Sequence, residues 1–311
     1  MKWKAINIFY SKNIFLMSMS RQIEKDIIYR PDVVIEDLVA INIYEQLKKL
    51  GFEVGTAGVL YGTKSVGKTL ITIALAYQLK REKNIEPLFI VTESNWFIKY
   101  KGFSIYDIVT SLLGDNSVIA VKEPLELFTI EYPENTLIVI DSLGAIHLRA
   151  YKEAYKQLAQ IFKAEYKMER RRRERSITLL VAREVIPLIN SIVDHIVSEA
   201  IIKNRERPST VIFIAHACRE IMGTYRNIAD ARPSFGSRAG HSLIYEIYVE
   251  EPLRLKLVDH RFEHDLIGTE IDLKPLIEDY RKRKTKGQAG TEEVERSEEE
   301  ASERPSRRRR T

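Results

Sequence analysis

Residues Gly62, Thr63, Lys64, Ser65, Val66, Gly67, Lys68 and Thr69 have the spacing G-x-x-x-x-G-K-[ST]. That spacing suits a loop whose backbone N–H groups point inward at phosphate oxygens. The glycines permit the backbone angles and the close approach. Lys68 supplies a point charge to the β- and γ-phosphates, and the Thr69 hydroxyl is a ligand for Mg2+. A helix opening at Lys68 would add the partial positive charge of its N-terminus. The chemistry expected here is therefore binding of ATP with Mg2+.

Two carboxylates follow at positions that could complete such a site. Asp141 ends the apolar run TLIVID, where a parallel strand would aim it into the ligand crevice, opposite Thr69. Ser142, next to it, is a lesser candidate. Glu93 follows PLFIVT and can orient an attacking water beside the γ-phosphate. His216 ends the apolar run TVIFIA. Trp96, Phe97 and Tyr100 come soon after Glu93 and are read as core packing rather than as a stack for adenine. His260 and His264 stand four residues apart with no evident third ligand, so they are not read as a metal site.

The elements that must position these groups alternate. Helical spacing covers 35–50 up to Gly51, then 68–82 and 104–113. Strand-length apolar runs cover 56–61, 87–92, 117–121, 136–141 and 210–215. Strands that are apolar throughout, separated by helices, imply a parallel sheet covered on both faces. Residues 244–250 and 253–259 read as an antiparallel hairpin at the sheet edge, turning at Glu251-Pro252. The expected fold class is α/β, a mostly parallel sheet with a C-terminal edge hairpin. The expected organisation is an N-terminal extension over 1–34, partly disordered, and an ATPase core over 35–280. A basic helical insertion falls at about 148–178, and a disordered charged tail spans 281–311.

Composition narrows the function classes. The net charge is +5, but the segment 281–311 holds eleven Lys/Arg against seven Asp/Glu, which leaves the segment 1–280 at +1. A nucleic-acid role would have to rest on local patches. Cys218 is the only cysteine, which rules out an intrachain disulfide and fits a reducing cytosol. No unbroken run of 18 apolar residues is present, so no membrane partner is expected and the expected location is cytoplasmic. The segment 1–19 fits a loose extension, or a start placed too early with Met17 or Met19 as the true first residue.

The order GTKSVGKT, FIVTESNWF, LIVIDSLGAI, VIFIAHACRE resembles the RecA/RadA recombinase superfamily of ATPases, over roughly residues 36–262. With YEQLKKLGFEVGTAGVLYG, it is more similar to archaeal RadA paralogs, the RadB-like group, than to bacterial RecA. The resemblance implies a RecA-like core that binds ATP and Mg2+. Lys68 and Thr69 would be the phosphate and magnesium residues, Asp141 the metal-facing acid, Glu93 the catalytic carboxylate and His216 the γ-phosphate sensor. His216 stands where the family commonly has Gln, and Ser94 where Gly is frequent. The segment 1–34 is too short for the family's helix–hairpin–helix domain. No Phe-x-x-Ala hook precedes the core, so an accessory paralog is expected rather than a filament-forming recombinase.

In that family two loops facing the filament axis bind DNA. Here they correspond to residues within 143–178 and 217–241. The first contains Lys167, Arg170, Arg171, Arg172 and Arg173, a charge run suited to phosphates. The second contains Arg219, Arg226, Arg232 and Arg238 with Tyr225 and Phe235, which suits single-stranded DNA through stacking. Arg232 or Arg238 is also a candidate arginine finger toward an adjacent subunit. The partners implied are single-stranded DNA and a recombinase or further copies of the chain. The alternative is a KaiC-like or archaellum-type regulatory module that switches a protein partner without DNA. A helicase of the same superfamily ranks third, because no loading domain is evident.

Overall fold

The protein is described from a computed structural model covering residues 31–99, 102–165, 170–218, 232–233 and 242–284. For 31–33, 164–165, 170–173, 218 and 232–233 the backbone alone is described.

Two short helices, α1 (Pro31–Ala40) and α2 (Ile43–Lys48), precede the sheet. Strand β1 (Ala57–Gly62) leads into α3 (Lys68–Lys83), then β2 (Glu86–Val91), α4 (Ile105–Leu113), β3 (Val118–Ala120) and β4 (Thr136–Asp141). Helices α5 (Leu143–Glu165) and α6 (Arg170–Val197) follow, and β5 (Thr210–Cys218) returns to the sheet. Last come β6 (Arg232–Pro233), β7 (Tyr245–Glu251), β8 (Arg254–His260) and β9 (Glu270–Asp272), then a helix over 273–284, α7.

The strands lie in the order β3-β2-β4-β5-β1-β7-β8-β9, with β6 paired to β5. All pairings from β3 through to β7 along that order are parallel, while β8 and β9 run antiparallel. This is the expected architecture, with one refinement: β7 pairs parallel to β1, so the sheet changes direction inside the hairpin. The turn falls at Pro252–Leu253, one residue later than the sequence suggests.

The inner strands read as unbroken apolar runs because alternate residues feed two cores. In β4, Leu137 and Val139 face α1–α4, whereas Ile138 and Ile140 face α5 and α6. In β5, Ile212 and Ile214 face the first side, and Val211, Phe213 and Ala215 the second.

Three departures from the sequence reading have clear causes. The helical stretch at 35–50 is two helices: it starts at Pro31 and breaks where Asn42 takes a left-handed φ of 57° and caps α2 through Glu45 N–H. The basic stretch at 148–178 belongs to a longer pair of helices that starts just after Asp141 and runs to Val197. Ile177, Val181, Val185, Ile189, Ile192 and Ile196 bury one face of α6 in the second core. By length and composition the segment Glu174–Ile202 is apolar enough to cross a membrane, but that buried face gives it a core role. Finally, the helix α7 continues past residue 280 to Lys284, and Arg281 forms an ion pair at 2.6 Å with buried Asp37 of α1.

Candidate functional site

The carboxyl ends of β1, β2, β4 and β5 lie side by side. Val91 pairs with Asp141, Asp141 with Ile214, and Gly62 with His216. The register therefore brings together groups read from four separate stretches of sequence.

The loop after β1 has a physical reason for each of its glycines. A Cβ at Gly62 would lie 2.3 Å from the Val249 carbonyl oxygen of β7. Gly67 has φ +93°, and a Cβ there would approach Leu253 to 3.2 Å. Ser65 also adopts a left-handed φ of 62°. Left-handed residues two apart help turn successive N–H groups toward a common centre. Thr63, Lys64 and Ser65 are exposed at the rim, whereas Val66 and Lys68 are buried. Gly67 caps α3 without a side-chain partner, so the first N–H groups of that helix are open to a ligand.

Lys68 Nζ donates to the Gly62 carbonyl at 3.1 Å and to that of Thr63 at 2.6 Å. Burial pushes the ammonium down to about 8, although Asp141 and Glu93 pull it up. The Thr69 hydroxyl donates to Asp141 Oδ2 at 2.9 Å. Burial raises the Asp141 carboxyl above its ordinary range, while hydrogen bonds from Trp96 and Thr69 and the charge of Lys68 oppose that rise.

Glu93 sits just beyond β2, and three groups hold it. Its Oε1 accepts from the Ser142 hydroxyl and lies 3.2 Å from His216 Nε2; its Oε2 accepts from Asn95 Nδ2 at 2.8 Å. The His216 contact is the largest cause of its depression to about 2, and Ser142 and Asn95 add to it against the cost of burial. Ser142 is fully buried and is also tied to Thr92, whose hydroxyl accepts from Ser142 N–H at 2.9 Å. The Asp141–Ser142 peptide is cis.

The other candidates divide. Trp96 is 1% exposed and belongs to the core, as expected, but its indole Nε1 also donates to Asp141 Oδ2 at 2.9 Å. Phe97, expected in the core, is 44% exposed, because the short turn that buries Trp96 sends its neighbour outward. Tyr100 lies outside the described residues. His260 is buried and accepts from the N–H groups of Phe262 and Glu263 through Nδ1, a structural role; His264 is exposed. Arg170, Arg171, Arg172 and Arg173 open α6, and Arg232 begins β6; for these the backbone alone is described. Lys167, Arg219, Arg226 and Arg238 lie outside the described residues, as do Tyr225 and Phe235.

The donors fit a hard divalent cation. Mg2+ favours oxygen ligands, and in nucleotide sites it is held by one or two protein oxygens plus phosphate rather than by an all-protein cage. Thr69 and Asp141 offer a hydroxyl and a carboxylate in contact. Among the described residues no group of three His, Cys, Asp or Glu side chains could enclose a metal alone.

No protein-family model matches the sequence, and no curated protein matches it. Among solved structures, one described as "Crystal structure of the RadB recombinase" is similar at 14% identity and a TM-score of 0.42. The match covers 72% of this chain and 89% of that one. That description belongs to the other protein; what this chain does rests on its own site.

Proposed function

We propose that the chain binds ATP with Mg2+ at the Gly62–Thr69 loop and hydrolyses it slowly. The observation that carries this is the convergence of Lys68 and Thr69, at the start of α3, with Asp141 and Glu93 at neighbouring strand ends. Lys68 neutralises the outer phosphates and the loop N–H groups cradle them. Thr69, with Asp141 behind it, would hold Mg2+, which when bound offsets phosphate charge and orients the terminal group. Glu93 orients the attacking water, and His216, beside Glu93, would respond to the terminal phosphate. Slow turnover fits a carboxylate that three donors hold in its ionised form, because a group depressed to about 2 is a weak acceptor for a proton from water. In this reading, therefore, Glu93 must loosen its contacts for efficient hydrolysis.

We further propose action with DNA in recombination or repair, as an accessory recombinase paralog. Single-stranded DNA and a recombinase, or other copies of the chain, would be its partners. The arginine run at the start of α6 and the arginines of 217–241 support this part. The second reading is a nucleotide-occupied module that switches a protein partner without DNA; the charge of only +1 over the segment 1–280 favours it.

The test is ATP turnover by the full chain with no DNA, single-stranded DNA and duplex DNA, beside Lys68→Ala. Loss of binding of a fluorescent ATP analogue in Lys68→Ala is expected, with stimulation of turnover by single strands. Unchanged binding would remove the ATP site. Indifference to DNA would favour the switch.

A further inference from the structure

We infer that Trp96 is a positioning residue for the metal-facing acid, its indole N–H fixing the Asp141 carboxylate that Thr69 contacts. This rests on the reading of Thr69 and Asp141 as the Mg2+ side of an ATP site.

Trp96 lies in the single turn Ser94–Phe97 that follows Glu93. Its ring packs on Phe89 of β2, centroids 5.6 Å apart, and it is 1% exposed. A ring so enclosed has one direction for its N–H. That direction ends on Asp141 Oδ2 at 2.9 Å, the same oxygen that accepts from Thr69 at 2.9 Å.

The two donors are not equivalent. The Thr69 hydroxyl can offer a lone pair to a cation while still donating its proton to Asp141. An indole N–H has no lone pair to offer and does not titrate in the working range, so it cannot compete for a cation. It keeps a buried carboxylate hydrogen-bonded and oriented whether or not an ion is present. Partners of this kind commonly change metal affinity by about 10- to 100-fold when removed.

The same turn also orders the other side of the site. Glu93, three residues earlier, reaches Ser142 and His216, while Trp96 reaches Asp141. One short turn thus sets both carboxylates. No spacing rule links an indole to an acid 45 positions later in the chain, and the contact exists only because β2 and β4 are neighbours.

The experiment is a Mg2+ titration of fluorescent ATP-analogue binding by the full chain, wild type against Trp96→Phe, which keeps a ring and loses the N–H. The Mg2+ concentration for half-maximal binding should rise about 10-fold, while the binding reached at saturating Mg2+ changes little; the thermal midpoint falls as well, because a smaller ring leaves space in the core and a buried carboxylate loses a donor. A side chain that only fills space would leave the Mg2+ dependence where it was, and that result overturns the inference. The second measurement needs no change at Trp96. In a Trp3→Phe background Trp96 is the one remaining indole of the two in the sequence. Its emission should shift on adding Mg2+ with ADP, and should not shift with ADP and a chelator. No Mg2+-dependent shift counts against the role. If Lys68→Ala binds the analogue as well as wild type, the ATP site itself falls and this inference with it. If wild type requires the loop and Mg2+ but Trp96→Phe matches it, only the role of Trp96 falls.

Discussion

Leu253, at the tip of the β7–β8 hairpin, donates its N–H to the carbonyl of Val66 inside the Gly62–Thr69 loop at 3.3 Å. Its own carbonyl accepts from Leu273 N–H at 3.0 Å, where α7 begins. It holds a left-handed φ of 65° and is 5% exposed. Its side chain also lies against Gly67, where an added Cβ would meet it at 3.2 Å, so the sheet edge backs the loop through both backbone and side chain. Leu253→Ala should cost about 2–3 kcal/mol of stability and also weaken ATP-analogue binding several-fold. Leu113→Ala, a comparable truncation at the far end of α4, should cost similar stability without that loss. Denaturant unfolding and analogue titration on both variants check this, and equal affinities would remove the buttress.

Lys68 gives the pH dependence its sign. Its ammonium is pushed down to about 8 by burial, so the free protein loses that proton as pH rises through 8. A bound triphosphate favours the charged form. ATP affinity should therefore fall as pH rises above about 8, and binding at pH 8 should take up about half a proton. Calorimetry in buffers of different ionisation enthalpy measures that uptake. A binding heat independent of buffer would contradict it.

His216 is the main support of the ionised Glu93. A carboxyl lowered from 4.5 to about 2 contributes stability that is present above pH 4.5 and lost as pH falls toward 2. The whole shift corresponds to at most roughly 3 kcal/mol, of which His216 supplies only a part. His216→Ala should lower stability at pH 7 by about 1 kcal/mol and move the acid limb of the turnover profile upward. His216→Gln, which keeps a donor, should restore most of both. Identical profiles for the two variants would show that the contact does nothing for Glu93.

Asp37 is buried, and the Arg281 guanidinium donates twice to one of its oxygens, at 2.6 and 2.8 Å. Arg281→Ala strands a buried carboxylate and should cost about 1–3 kcal/mol. The double variant with Asp37→Asn should recover part of it. A cycle with no coupling energy in urea unfolding would contradict a structural role for the pair.

For DNA, replacing Arg170 to Arg173 by Ala should weaken single-strand binding and flatten its salt dependence. The slope of log affinity against log salt should fall by about 0.7 for each phosphate no longer neutralised. An unchanged slope would move DNA binding elsewhere on the chain.

The inner parallel strands were legible to within three residues, because such a strand is apolar on both faces and leaves an unbroken signature; β6 and β9, short and lacking that signature, were not read. β4 was read at its observed bounds. Helix α6 was read only as far as about residue 178, even though Ile177, Val181, Val185, Ile189 and Ile192 recur at helical spacing. Thr178, Arg183 and Glu184 on its other face and Pro187 within it obscured that pattern. In the candidate site, the Gly62–Thr69 loop could be picked out as a unit because it is continuous in the chain. The contacts of Trp96 with Asp141, His216 with Glu93 and Leu253 with Val66 were not, since each joins segments that only strand order makes adjacent. Arg281 was assigned to the charged tail because its neighbours are all polar; its partner Asp37 lies 244 positions away.

Helix α5 starts two residues beyond Asp141 and is 23 residues long. At 1.5 Å per residue it spans about 34 Å. It packs along its length on α6 and the second core, through Ile146, Ala150, Leu158 and Phe162, so the two helices would move together as one arm that starts beside a carboxylate. A tilt of about 5° at its base would swing its tip by about 3 Å, at the rise given above. Its tip adjoins the arginine run along the chain, so small displacements beside the loop would be magnified at a strongly cationic stretch.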